Sequence, residues 1–248
     1  MIFKEFGNKS FPTIILLHGG GLSHWSLHKV VDILVDDYHV VTPIIDGHGE
    51  DSGNTFISIE DSANKLIKYI DNEHNGQVYA IGGLSIGAQI VVEALSKREK
   101  LSEYAIVESA LIYPIKGLKL FVIPAYQLSY WLIKKEWFAK LQAKSLFVPK
   151  EQFDQYYTDS VNISKQSLIN ITLSNGSYEL KDSLSDVETK VLIIVGSKEM
   201  RIMQKSANKL YEEISNSELY VADNKGHGEM SLVNLELYLE LIKKFLAK

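Results

Sequence analysis

Short apolar runs alternate with amphipathic stretches along most of the chain. Thr13-Ile14-Ile15-Leu16-Leu17 is almost unbroken by polar residues, the pattern of a strand buried on both faces of a parallel sheet. Tyr38 to Pro43, Gln77 to Gly82, Tyr104 to Val107, Val191 to Val195 and Leu219 to Val221 read as further strands. The first twelve residues suggest a short edge strand and a turn at Gly7-Asn8. Between these runs the apolar residues recur at three-and-four spacing, the period of a helix face. One such face holds Trp25, Val30, Ile33 and Leu34, in a helix starting near Ser23 or Ser26. Others hold Ile59, Ala63, Leu66 and Ile70, then Ala88, Ile90, Val91 and Leu95. A helix near Gln204–Ile214 and a terminal one through Leu232, Leu235, Leu239 and Ile242 complete the series. Strands alternating with helices predict an α/β fold with a mostly parallel, doubly wound sheet.

The rhythm stops near residue 110 and resumes at Lys190. The stretch between is rich in aromatics, mostly helical in spacing, and broken at Pro114, Pro124 and Pro149. It is too long for a loop and has no strand pattern of its own. We therefore expect a core of residues 1–111 and 181–248 and a helical insertion over 112–180, its aromatics divided between a small core and an apolar substrate wall.

Ligands of open parallel sheets bind at the carboxyl ends of the strands, and four candidate groups directly follow predicted strands. Gly83-Leu84-Ser85-Ile86-Gly87 lies between a strand and a helix. A serine there is pushed out on a sharp turn, and glycines two residues to either side relieve the crowding. The new helix aims its amides at any oxyanion formed on that serine. A serine hydroxyl needs a base to take its proton; His227, in Gly226-His227-Gly228, can serve. Glu199, in the loop after Val195, can fix the imidazole tautomer and stabilise the imidazolium. The backbone N–H groups of Gly20, in His18-Gly19-Gly20-Gly21, and of Ile86 are placed to bind the oxyanion. Gly21, His24 and Trp25 follow as candidates for the substrate pocket.

Composition narrows the function classes. The chain has no cysteine, which excludes a thiol nucleophile, a thiolate metal site and disulfides. Its net charge of −5, with no basic stripe recognised along the chain, argues against a nucleic-acid partner. No apolar run reaches membrane-span length, and the first residues lack the plan of a signal peptide. We expect a cytoplasmic protein, a monomer or homodimer, with a small-molecule substrate. His24, His28 and Asp32 stand at four-residue steps, but nothing completes a ligand set, so no metal is expected.

The order Ser85, Glu199, His227, with the His18-Gly19-Gly20 loop, Gly47-His48-Gly49 and the Gly83–Gly87 turn, resembles the α/β-hydrolase superfamily over essentially the whole chain. The resemblance implies a cofactor-free serine hydrolase whose insertion acts as a cap. It points to an ester, or a chemically similar thioester, lactone or amide, of a small, partly apolar substrate, cleaved through an acyl-enzyme on Ser85. A lyase or C–C bond hydrolase with the same triad, or a non-turnover small-molecule sensor, are the alternatives. Where relatives carry the acid one strand earlier, Glu108 takes the place of Glu199. His18 and His48 are expected to hold their own loops.

Overall fold

The computed structural model describes all residues, 1–248. The apolar runs form seven strands: β1 (Ile2–Phe6), β2 (Thr13–Leu17), β3 (His39–Ile44), β4 (Val78–Leu84), β5 (Ser102–Glu108), β6 (Lys190–Gly196) and β7 (Ser217–Ala222). They join in one sheet of order β1-β3-β2-β4-β5-β6-β7. Every pairing is parallel except that of β1, which runs antiparallel along the outer edge of β3. The mostly parallel, doubly wound sheet is thus as the sequence pattern predicts.

Three helices precede β5: α1 (His28–Leu34), α2 (Ile59–His74) and α3 (Ile86–Lys97). Four fill the insertion: α4 (Leu118–Ser129), α5 (Glu136–Ser145), α6 (Phe153–Asn162) and α7 (Lys165–Ser177). The last three are α8 (Arg201–Glu213), α9 (Glu229–Leu232) and α10 (Leu235–Leu246). The ends of α2 show how local sequence sets these limits. Ser58 Oγ accepts the Asp61 N–H at 3.0 Å, and Asn75 closes the other end in the left-handed region at φ 54°.

Because strand side chains alternate, each central strand feeds two cores. Ile15, Leu17, Ile81, Val107 and Ile193 pack with α2, α3 and α8 on one face. Ile14, Leu16, Ala80, Ile106 and Leu192 pack with α1 and α10 on the other. The chain leaves β2 to build β3 on one side, then returns to place β4 on the other. The carboxyl ends of β2 and β4 are therefore the topological switch point, with Leu17 in register with Gly83.

The insertion is rooted on α3. Gln89, fully buried, donates Nε2–H to the carbonyls of Leu111 (2.6 Å) and Asn175 (3.0 Å), and accepts from Asn175 Nδ2 at 3.0 Å. One side chain thus ties both ends of the excursion to the helix that follows Ser85. Two helical expectations need correcting. The chain after Ser23 first makes a single 3-10 turn, His24–Leu27, before α1 begins. The expected terminal helix breaks at Asn234, whose Nδ2 donates to the Glu229 carbonyl at 2.8 Å; an asparagine that bonds the preceding turn competes with helix continuation.

Candidate active site

Ser85 is the single residue between β4 and α3 and sits at φ 55°, ψ −115°. A non-glycine residue pays strain for a positive φ, which persists only where the surroundings enforce it. Here they do. A Cβ on Gly83 would strike the backbone of Gly87. One on Gly87 would fall 2.6 Å from the carbonyl oxygen of His18 and 2.7 Å from that of Leu17. The two glycines therefore let the turn close and let α3 abut the end of β2. Ile86 begins α3, so its N–H belongs to the first turn, which has no intrahelical acceptor.

The loop after β2 lies beside this turn. A Cβ on Gly20 would sit 3.7 Å from Ile86 Cγ2, so the two backbones flank one space. His18 organises the loop from beneath. Its Nε2 accepts the Ile45 N–H at 3.1 Å, and its Nδ1 lies 2.9 Å from the Gly19 carbonyl oxygen. The proton therefore resides on Nδ1. Burial, with help from neighbouring His48, holds the His18 pKa well below its ordinary value, so the ring is neutral.

Glu199 and His227 meet at the ends of β6 and β7. His227 Nδ1 is 2.8 Å from Glu199 Oε2. Glu199 Oε1 accepts the Ser109 hydroxyl at 2.7 Å and the Gly196 N–H at 2.8 Å. Burial alone would raise this carboxyl, but His227, the Gly196 amide and Ser109 outweigh it and hold its pKa below the usual value. The two loops are also bonded to each other: the Lys198 N–H donates to the Lys225 carbonyl at 2.9 Å, and the Asn224 N–H to Ser197 Oγ at 2.8 Å. Gly228, at φ 72°, brings the histidine loop toward the serine turn; a Cβ there would lie 3.2 Å from the Leu84 side chain. The residues next to His227 and Ser85 thus touch. His227 itself is about half exposed, and Ser85 Oγ is not hydrogen-bonded to it; catalytic hydrogen bonds of this kind often tighten only in the substrate complex.

Glu108, the other candidate acid, lies at the end of β5, fully buried. Its Oε1 accepts only the Ser231 N–H, at 3.3 Å, and its Oε2 has no partner. Burial pushes its pKa up to about 7 against the partial relief that Ser231 gives. His227 is bonded to Glu199 and not to Glu108.

Ser85, Ile86, Gly20 and Gly21 line one cavity of about 400 Å³ under the insertion. Its roof is mainly apolar, with Ile115, Leu118, Ile133, Leu146, Ile163 and Ile171. Tyr126 and Tyr156 are the two aromatics of the insertion that reach it, a division that helical spacing alone does not resolve. No charged side chain lines it. The expectation for His24 and Trp25 needs correction. Neither lines this cavity; Trp25 donates Nε1–H to Asp159 at 2.7 Å and borders a neighbouring cavity of about 520 Å³. Trp25 is held by that bond to α6, and the His24 ring lies edge-on to that of His28 at 5.4 Å. Ser109 and the Gly196 amide are the site's unforeseen members. A serine at the end of a strand carries no signal of its own, and only the pairing of β5 with β6 brings Ser109 to Glu199.

A family model described as serine aminopeptidase, S33 (Hydrolase_4), matches residues 8–231. The uncharacterized hydrolase YugF of Bacillus subtilis (strain 168) is 22% identical over 239 residues, 91% of this chain and 86% of its own. Among solved structures, an esterase (EaEST) from Exiguobacterium antarcticum superposes with a TM-score of 0.80 at 18% identity, over 99% of this chain and 95% of that one. An α/β-hydrolase family protein from Desulfitobacterium hafniense gives 0.78 at 21% identity, over 99% and 100%. At such identities the superpositions speak for the fold alone. With the family model spanning nearly all of its length, the chain is a hydrolase and belongs to the Hydrolase_4 (serine aminopeptidase, S33) family of α/β-hydrolases.

Proposed function

We propose that this chain is a serine carboxylesterase acting on small, neutral, partly apolar esters, with the insertion over 112–180 as the cap over its active site. Ser85 Oγ attacks the ester carbonyl while His227 Nε2 takes its proton. Glu199 accepts the Nδ1–H, fixing the tautomer and stabilising the imidazolium. The tetrahedral oxyanion receives the N–H groups of Gly20 and Ile86. Collapse expels the alcohol, which takes the proton from His227, and leaves an acyl group on Ser85. Water then repeats the sequence to release the acid. No cofactor or metal enters these steps, and the absence of cysteine fits action in the cytoplasm.

The observation that carries this reading is the 2.8 Å contact between His227 Nδ1 and Glu199 Oε2, on loops packed against the turn that strains Ser85. The substrate class follows from the lining. A substrate with a free amino terminus needs an acidic partner for its ammonium, and no carboxylate lines the cavity. That favours esters over the aminopeptide substrates in the family's description.

The test is hydrolysis of p-nitrophenyl esters of increasing acyl length beside aminoacyl 4-nitroanilides. Esters should turn over with a pre-steady-state burst and anilides should not. Faster turnover of the anilides, or ester turnover untouched by Ser85→Ala, would contradict the reading.

A further inference from the structure

The outer face of the insertion is both apolar and basic. On α4 the positions facing inward are Leu118, Val122 and Tyr126, one helical turn apart, and only Val122 is buried. Leu120, Phe121 and Leu128 are 75%, 73% and 79% exposed, and Trp131, Trp137 and Leu141 are each more than half exposed. These six large apolar side chains, exposed between positions 120 and 141, are unfavourable in water and mark an interaction site. Residues 113–144 also hold six lysines, Lys116, Lys119, Lys134, Lys135, Lys140 and Lys144, all exposed. The one acid among them, Glu136, is paired with Lys140 at 2.7 Å. This local excess of positive charge sits on a chain whose net charge is −5, so the chain-wide balance hid a basic stripe.

The combination selects the partner. Leucine and tryptophan interleaved with lysine is the composition of a surface that lies in a bilayer interface, with ammonium groups at the phosphates and apolar side chains below them. A second copy of the chain would bring the same lysines together across a two-fold interface. A nucleic acid would satisfy the lysines and leave the leucines in water. An apolar groove of about 340 Å³ opens along α4, where Phe121, Ala125, Tyr130 and Phe138 line it. It shares Tyr126, Ile133, Gln142 and Thr172 with the Ser85 cavity, so the two spaces adjoin along these side chains.

We propose that the α4–α5 face docks on an anionic lipid surface and that apolar esters reach Ser85 from it through the α4 groove; the second half rests on the esterase reading of Ser85. The test uses the full chain carrying Ser85→Ala, sedimented with vesicles of phosphatidylcholine alone or mixed with phosphatidylglycerol. Binding to the anionic vesicles should be stronger by roughly tenfold or more, should weaken with salt, and should shift tryptophan emission to the blue through Trp131 and Trp137. Lys119→Glu with Lys135→Glu should lower binding by roughly tenfold. Leu128→Asp, at an exposed position outside both cavities, should abolish the emission shift and leave turnover of a short soluble ester unchanged. Equal binding to both vesicle types, no binding, or a dimer in solution that Leu128→Asp dissociates would overturn the docking. Vesicle binding by a wild type that hydrolyses no ester would remove the esterase reading and leave the docking in place.

Discussion

Glu108 closes β5 and Glu199 follows the end of β6, so two buried carboxyls stand side by side at the carboxyl edge of the sheet. Burial pushes both upward, but only Glu199 is compensated, by His227, the Gly196 amide and the Ser109 hydroxyl, and it ends below its ordinary pKa. Glu108 has one long amide contact and an oxygen without a partner, and it rises to about 7. The same residue type, buried in both places but more deeply at Glu108, therefore becomes either an ionised partner for a histidine or a carboxyl that resists ionisation. The depth of burial and the number of donors aimed at the oxygens together decide which.

The largest effects should come from the groups that Glu199 serves. Ser85→Ala should lower kcat by about 10³-fold or more with the fold intact. His227→Ala should be nearly as severe, and the double variant little worse, because the pair acts as a unit. Steady-state kinetics with circular dichroism as a fold control would measure all three.

The contrast itself is tested by the isosteric pair. Glu199→Gln should cost roughly 10²-fold to 10⁴-fold in kcat, since an amide can present the wrong tautomer partner to His227. Glu108→Gln should change kcat only slightly. The reverse pattern would move the acid to Glu108.

The two carboxyls should also leave opposite marks on stability. Glu199, depressed on folding, contributes stability that is present above its unfolded value of 4.5 and is lost as pH falls through the folded value. Glu108, raised on folding, keeps its proton in the folded chain while the unfolded chain loses it. Stability therefore falls as pH rises from 4.5 to about 7, by about 3 kcal/mol in all. Denaturant titrations of Glu108→Gln should show that this decline has gone. A smaller effect is expected at Ser109. Ser109→Ala removes one donor from Glu199, so kcat should fall by about tenfold or less and the acid limb of its pH profile should move upward.

The fold was legible where side-chain period and burial agree. The apolar runs of β2 and β6 mark central strands, because a parallel sheet buries both faces of its central strands, and the glycines around Ser85 mark a sharp turn. Ser85, Glu199 and His227 were legible as candidates because each follows a strand. What escaped is what depends on side-chain direction. Trp25 was expected at the substrate and instead bonds Asp159, 134 positions away in the chain. Ser109 gained its place only through strand pairing. The six lysines around α4 were invisible in a chain-wide charge, since the acidic remainder outweighs them. The aromatics of the insertion share one periodicity whether they face the cavity, one another or solvent. Spacing could not sort Tyr126 from Trp131.

The central claim is that Ser85 is activated by the His227–Glu199 pair. Intact-mass spectrometry after exposure to a fluorophosphonate tests it most directly, comparing wild type with Ser85→Ala and Glu199→Gln. One adduct on the wild type, none on Ser85→Ala and much slower labelling of Glu199→Gln is the expected result. A folded wild type that takes no adduct, or one that labels equally fast without the Glu199 carboxylate, would contradict it.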